Sequence, residues 1–464
     1  MRLRSKLFVH AAAAVALASV CHSEIPAIPN DGKSDATAAL QALIDKGTGT
    51  IRLQRGTYRL SKGLVVDLAK VGFTSIEGGG TARLVMEGAG PAIQFIGGHE
   101  GSADPGSFKP ETWDQRAPPV DGIEITGTHA EADGIQAVGT MQLTISRTVI
   151  RKCRHGIHLF KRNRNVVISH CHIYENSGIG VFYDHVNLHQ SNIIGSHISY
   201  CRGGGIVSHG GDVRNLHIGT CDIESNMGPD FPPTANVWLD STGGSIGEVA
   251  ITGCTIQHSS KAPGCANIRI QGGGTDRSLE RREGRATTRE GNITIGSNVF
   301  SDVRINIHIQ NARGVTITGN TFWEGFEHDL LVEDSSHIIV GDNNFDRNPR
   351  YLVNGFDNAE SNGVRFVRCQ DSSLSSNTIA GVWRHPAAVH LEECARFNVT
   401  GNSILDSDGV GLLLQKCKHT IVSDNLIRDD REESERSREP SLKVEGTQDN
   451  LIGSNLLGNG KKLE

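Results

Sequence analysis

The chain has 464 residues, 37% of them hydrophobic, with 55 glycines and a formal net charge of −6. That balance excludes a nucleic-acid partner and a general affinity for anionic membranes. Two or three domains are the ordinary expectation at this length, but a solenoid grows by adding coils within one domain, and abundant glycine suits many short strands and turns.

Residues 1–23 read as a secretory signal, with Arg2, Arg4 and Lys6 as the charged start, residues 7–20 as the apolar stretch, and cleavage near Cys21 to Ser23. The apolar stretch is too short to span a membrane stably. Cys21 would suit a lipoprotein signal, but Val20 before it is bulky for one. The mature chain, residues 24–464, is therefore expected in the periplasm or outside the cell, as a single domain. Ser34 or Asp35 can cap a short helix ending near Gly47. Residues 50–53, 57–60, 64–68 and 92–95 alternate as early strands do. Residues 97–119, with Asp104-Pro105 and Pro118-Pro119, read as an irregular excursion.

From Gly122 to Gly458 the chain repeats. Ile295-x-x-Asn298-x-Phe300 returns as Ile317-x-x-Asn320-x-Phe322 and Val340-x-x-Asn343-x-Phe345. The module extends through Asn377, Asn402, Asn425 and Asn455, and upstream through Cys254, Cys221, Ser196, Cys171 and Thr148, mostly at spacings of 22 to 25 residues. Between modules lie alternating runs such as Gly156-Ile157-His158-Leu159 and Asn267-Ile268-Arg269-Ile270, each a strand with one face buried. A repeat this short leaves no room for a helix. It predicts an all-β fold, a parallel β-helix solenoid of about 12–15 coils behind a short N-terminal capping helix. With coils roughly 4.8 Å apart, inward Asn, Cys and Ser at a tight bend stack into a hydrogen-bonded ladder.

Export permits disulfides, yet the repeat places Cys171, Cys221 and Cys254 in the inner ladder as buried thiols. Cys369, Cys394 and Cys417 stack in another column, expected as a reduced ladder, although stacked neighbours can bridge. There is no Cys-x-x-Cys and so no zinc signal.

Four insertions, at 227–235, 272–291, 347–362 and 428–440, interrupt the coils. The second and fourth are charge-rich and read as solvated loops. All four adjoin the alternating strands, so they are expected as walls around one sheet, where a binding groove would lie. On that sheet one outward column is expected to run Gln136, His158, Gly180, Val207, Trp238, Arg269, His308, Leu331, Arg365, His390, Gly411. Two residues later run Val138, Phe160, Phe182, His209, Asp240, Gln271, Gln310, Glu333, Val367, Glu392, Leu413. An outward Trp stacks on a sugar ring, an Arg fork holds a carboxylate or sulfate, and His or Asp moves a proton. The plainer alternative is a ladder whose Arg and Asp pair across coils. A second cluster, toward the N-terminal coils, holds His155, His158, Arg162, Arg164, Tyr183, Asp184, His185, His209, Asp212 and Arg214.

The repeat, together with the opening stretch from Asn30-Asp31-Gly32 to Leu43-Ile44 and Gly56-Thr57-Tyr58, resembles the pectin-lyase-like superfamily of right-handed parallel β-helices over nearly the whole mature chain. Its members include lyases, glycosidases, epimerases, esterases and phage tailspikes, so the resemblance implies a fold and carbohydrate-directed work, not one reaction. Polygalacturonase-like members carry Asn-Thr-Asp, Asp-Asp and Gly-His-Gly where this chain has Ala132-Asp133-Gly134, Arg154-His155-Gly156 and Gly203-Gly204-Gly205. Only Asp133 survives. Pectate lyases often hold Ca²⁺ with several acidic residues, and no tight cluster of that kind is visible here. No cofactor or metal is expected.

The expected activity is cleavage of an acidic polysaccharide by β-elimination at a uronate. Trp238 would be the sugar platform, Arg269 the charge neutraliser, His308 or His158 the base, and Asp184 or Asp240 the proton partner. Arg162 and Arg164 with His158 offer a second cation-and-base set. Arg162, Arg164, Tyr183, His209, Gln271 and Gln310 would bind substrate alongside Trp238. One alternative is an inverting glycoside hydrolase using Asp184 and Asp240, two coils and roughly 10 Å apart. Another is a non-catalytic carbohydrate-binding or surface-structural solenoid.

Overall fold

The computed structural model describes residues 28–101, 104–229, 234–258, 261–273, 275–276, 287–288, 290–349 and 360–459. The expected signal at 1–23 lies outside the described residues, as do much of the 272–291 insertion and residues 350–359 of the third. Among the described residues no helix is long and apolar enough to cross a membrane.

The described residues start with the strand Asp31–Asp35 and the helix Thr37–Asp45, whose buried Leu40 and Ile44 join the end of the core. Asp35 does not occupy the cap position. That place falls to Ala36, because the Asp35 carboxylate is drawn to the Ser61 hydroxyl at 2.6 Å as well as to the Thr37 amide at 3.0 Å. Residues 97–119 are irregular in large part, with two short 3₁₀ turns at Pro105–Ser107 and Pro110–Gln115.

Beyond Pro119 each coil pairs in parallel with the coil before and after it. Ile295 faces Ile317, Ile317 faces Val340, and Phe300, Phe322 and Phe345 follow in the same order. Their rings stack with centroids 5.0 and 4.4 Å apart. The Asn ladder forms as expected. Nδ2 of Asn298 donates to Oδ1 of Asn320 at 3.0 Å, Asn320 to Asn343 at 2.9 Å, Asn343 to Asn377 at 3.0 Å, and the chain of amides continues through Asn402 and Asn425 to Asn455. A primary amide has two donors and an oxygen with two lone pairs, so each ladder amide bonds its copy on the next coil and the backbone beside it, as Asn298 Nδ2 does to the Ile251 carbonyl and Asn320 Nδ2 to that of Ile295. Cys254 joins the ladder through its amide, which donates to Asn298 Oδ1 at 3.0 Å. Cys369, Cys394 and Cys417 are buried free thiols donating to the carbonyls of Val332, Phe366 and Leu391.

A second ladder, outside the hydrophobic-x-x-Asn repeat, runs from Asn226 to Asn236, Asn267 and Asn306 and ends on Asp329, at 3.0, 2.8, 2.7 and 2.7 Å.

The register differs from the expected one at two places. Ile157 pairs with Val181 and Phe160 with Asp184, so Phe182 follows His158 in the first column, where Gly180 was expected. Likewise Leu413, not Gly411, follows His390. A pattern of period two is unchanged by a slip of two residues, so alternation alone cannot choose between these registers.

Candidate functional site

The outward face is built from the strands Ile157–Ser169, Ile179–Ile194, Gly204–His209, Ala235–Asp240, Ala266–Gln271 and Val303–Gln310. In true register its first column reads His158, Phe182, Val207, Trp238, Arg269, His308, and its second Phe160, Asp184, His209, Asp240, Gln271, Gln310. The shift puts Asp184 directly beside His209.

A polar chain crosses the N-terminal coils. Gln94 Nε2 donates to Gln136 Oε1 at 2.7 Å, Gln136 Nε2 meets His158 Nδ1 at 3.0 Å, and His158 Nε2 meets Asp184 Oδ2 at 3.0 Å. An amide nitrogen only donates, so His158 Nδ1 accepts and its proton sits on Nε2, against Asp184. Phe182 stacks on the imidazole at 5.3 Å. Both nitrogens of His158 are engaged, which makes it an anchor for Asp184 rather than the free base expected of it. Asp184 also receives His185 Nδ1 at 2.7 Å. Burial pushes the Asp184 carboxyl up, but the bonds from His185 and His158 outweigh it and hold it below the usual carboxylate range.

His209 is exposed, and its Nδ1 lies 2.9 Å from Asp240 Oδ2. Asp240 is 5% exposed, and its other oxygen accepts the Thr242 amide at 2.9 Å. Asp240 is thus not the open carboxylate that a hydrolase of the expected kind needs; it orients His209. With the proton on Nδ1 against the carboxylate, the Nε2 lone pair faces outward, the arrangement of a positioned general base.

Downstream, Arg269 Nη1 reaches His308 Nδ1 at 2.7 Å, and its Nη2 donates to the Gly264 carbonyl. His308 Nε2 is 2.9 Å from Glu333 Oε2. A guanidinium only donates, so His308 accepts at Nδ1 and donates at Nε2. Neither ring nitrogen is left for a substrate proton. Arg269 and His308, expected as neutraliser and base, bind each other in this structure. Trp238 is half-buried over Ala235, Ala266 and Ile305, and its indole nitrogen is buried without a partner. Gln271 and Gln310 are half-buried neighbours in register.

Tyr183 does not touch the surface. It is 0% exposed, with its hydroxyl 2.8 Å from Ser191 Oγ inside the coil; as an odd member of an alternating strand it must point inward when Phe182 and Asp184 point out. Asp133, the survivor of the hydrolase pattern, is equally unavailable. It is 1% exposed and gripped by Arg154 Nε and Nη2 at 2.9 and 2.6 Å.

Arg162 and Arg164 flank the inward Asn163 just past a register slip between Phe160 and Arg162. Both are half-buried, and neither has an ion-pair partner among the described residues. Arg162 Nε and Arg164 Nη1 are buried with no hydrogen bond. Arg164 lies over the Phe108 ring at 5.0 Å. This brings in His99, from the irregular excursion, where sequence patterning carries no signal. Burial, aided by Arg162 and Arg164, lowers its pKa to about 4.

Away from this face, His197, Asp222 and Glu224 are the one group of His, Cys, Asp and Glu among the described residues whose ligand atoms lie within 4.8 Å of one another.

A family model described as a right-handed β-helix region matches residues 120–256 and 235–383. Another, for the periplasmic copper-binding protein NosD, matches residues 350–464. In that segment Cys369, Cys394 and Cys417 are closed in the core by bonds to carbonyls, and the only group of potential ligands brought together among the described residues lies outside it. The described residues of the segment do not fit a copper centre. No curated protein sequence matches the chain. Among solved structures, bacteriophage CBA120 tailspike protein 3 is 13% identical with a TM-score of 0.48, over 91% of this chain and 61% of the tailspike. The tailspike of E. coli bacteriophage HK620, in complex with a pentasaccharide, is 12% identical with a TM-score of 0.48, over 90% and 76%. The A-module of the Azotobacter vinelandii mannuronan C-5 epimerase AlgE4 is 13% identical with a TM-score of 0.38, over 94% and 96%. This chain spans only 61% of the length of the first of these. Since the two β-helix matches run together from residue 120 to 383, over an uninterrupted stack of parallel coils, the chain belongs to the right-handed β-helix family.

Proposed function

We propose that this chain is an exported enzyme that cleaves an acidic polysaccharide by β-elimination at a uronate. The observation that carries the reading is His209, held through Nδ1 by buried Asp240 at 2.9 Å, with Nε2 open on the outward face beside Asp184. In the elimination, His209 Nε2 takes the proton alpha to the uronate carboxylate. The released electron pair forms the carbon–carbon double bond as the glycosidic carbon–oxygen bond breaks. The imidazolium then returns a proton to the leaving oxygen, and Asp240 and Asp184 stabilise its charge meanwhile.

The carbanion is too costly unless a cation neutralises the carboxylate. Arg269 is spent on His308 and Gly264, whereas Arg162 and Arg164 have no acid partner among the described residues. Trp238, on the coil that carries Asp240, supports a sugar ring. The charged and apolar start at residues 1–23 supports export.

The test is to incubate the purified chain with a panel of acidic and neutral polysaccharides, following the ultraviolet absorbance of unsaturated products and new reducing ends together. Both signals rising on a uronate polymer is the expected result. Reducing ends alone would replace elimination by hydrolysis. Retention of a polysaccharide with neither signal would replace the enzyme by a binding solenoid.

A further inference from the structure

Arg162 and Arg164 belong to a larger arrangement. The amide of His99 donates to the Gly139 carbonyl at 2.9 Å, and the amide of Gly139 donates to the Arg162 carbonyl at 2.6 Å. The three residues thus lie on adjacent layers of the stack. Gly139 has φ +66°, and a Cβ there would sit 2.2 Å from the Gly97 carbonyl oxygen, so the close approach of the excursion to the coil requires glycine. The segment carrying His99 is tied down further by Gln115, whose Oε1 accepts the Gly98 amide at 2.6 Å.

His99 is 2% exposed, and neither ring nitrogen has a hydrogen-bond partner among the described residues. Phe108 packs against it edge-on at 4.8 Å and also lies under Arg164 at 5.0 Å. Arg164 is followed in register by His189 and Arg214 on the next two coils; burial lowers the His189 pKa, so it is Arg214 that adds positive charge to this side. Such a set is short of acceptors. Buried guanidinium nitrogens and a buried imidazole without partners are unfavourable unless a ligand supplies what the protein does not.

We infer that His99, Arg162 and Arg164 form a receptor for the carboxylate of a uronic acid, with Phe108 as its wall. The two guanidiniums supply donors to the carboxylate oxygens. His99 adds one N–H and one lone pair, because an imidazole held at a pKa of about 4 by burial is neutral near pH 7. An acceptor-only anion such as sulfate would satisfy the N–H and leave the lone pair empty. A uronate satisfies both, since its carboxylate is borne on a body with hydroxyl groups that donate. The identity of the ligand as a sugar acid rests on the proposed glycan-cleaving function, but the receptor itself is tested by binding alone.

The experiment is calorimetric titration of the full chain with sodium D-glucuronate, D-glucose and sodium sulfate, for the natural sequence and for Arg162→Ala/Arg164→Ala, His99→Phe and His99→Gln, each checked for a natural-like melting curve. The expected result is binding of glucuronate at least about tenfold tighter than of glucose or sulfate, as charge-assisted bonds predict. That preference should vanish in the arginine pair, fall about tenfold in His99→Phe and be largely restored in His99→Gln, which keeps a donor and an acceptor. In the natural sequence the His99 imidazole should also titrate at higher pH with glucuronate present, since a neighbouring carboxylate favours its protonated form. Equal binding of sulfate, no binding of glucuronate, or binding unchanged in the arginine pair would overturn the receptor. Cleavage of a uronate polymer by a natural sequence that binds no glucuronate would overturn the receptor and leave the reaction standing. Intact glucuronate binding by a chain that cleaves no uronate polymer would do the reverse.

Discussion

His209 Nδ1 stands 2.9 Å from Asp240 Oδ2 while the second oxygen of Asp240 is fixed by the Thr242 amide. The carboxylate therefore sets both the ring orientation and the tautomer of His209. Asp240→Asn keeps the size but presents an amide nitrogen to Nδ1 when its oxygen stays on Thr242. Nδ1 must then accept, the proton moves to Nε2, and the base loses its lone pair. Turnover should fall by on the order of 10³–10⁴ with the fold unchanged by circular dichroism, as for other carboxylate-oriented histidines. Turnover within a few-fold of the natural sequence would sink the assignment of His209.

His308 makes the contrasting case. Its nitrogens bind Arg269 and Glu333, so its contribution is to the stack. His308→Ala should leave turnover within about threefold while costing about 1–3 kcal/mol of stability, from the half-buried groups left without partners. Steady-state rates and urea midpoints on one preparation separate the two effects, and a hundredfold loss of rate would restore His308 to the chemistry.

Trp238 supplies surface rather than protons. Trp238→Ala should raise KM by about tenfold and change kcat by less than about twofold, because a stacking platform binds ground and transition states alike. A loss in kcat at constant KM would contradict the role of platform.

The coils were legible because their signal is redundant: Asn298, Asn320 and Asn343 repeat the same bend, and one hydrogen-bond argument covers all of them. The site was legible only as a neighbourhood. Sequence patterning groups His158, Asp184 and His209 but leaves Asp240 with Trp238, and the roles of His158 and Asp240 turn on which lone pair each contact occupies. Periodicity carries no information about that. Adjacency to Asp184 makes Tyr183 look like a site residue, although alternation itself assigns it inward. His99 lies in an irregular segment with no period to read, and only the fold brings it to Arg162.

Asp329 ends the second asparagine ladder, taking Asn306 Nδ2 on Oδ1 at 2.7 Å, and its Oδ2 is buried with no hydrogen bond. Burial raises its carboxyl from 3.8 to about 7, more than the bond from Asn306 lowers it. The folded state therefore holds a proton between about pH 4 and pH 7 that the unfolded chain has released, and stability drawn from this site is full below the unfolded value and lost as pH rises through about 7. A shift of this size corresponds to a ceiling of about 4 kcal/mol, less whatever relaxation recovers. Asp329→Asn extends the ladder with an amide that does not titrate. It should be nearly neutral at pH 5 and stabilising by on the order of 2–3 kcal/mol at pH 8, read from urea midpoints and from hydrogen exchange in the coils around residues 306–330. An equal effect at both pH values would show that Asp329 is not protonated in the folded chain, and that the ladder ends on a carboxylate whose partner lies elsewhere.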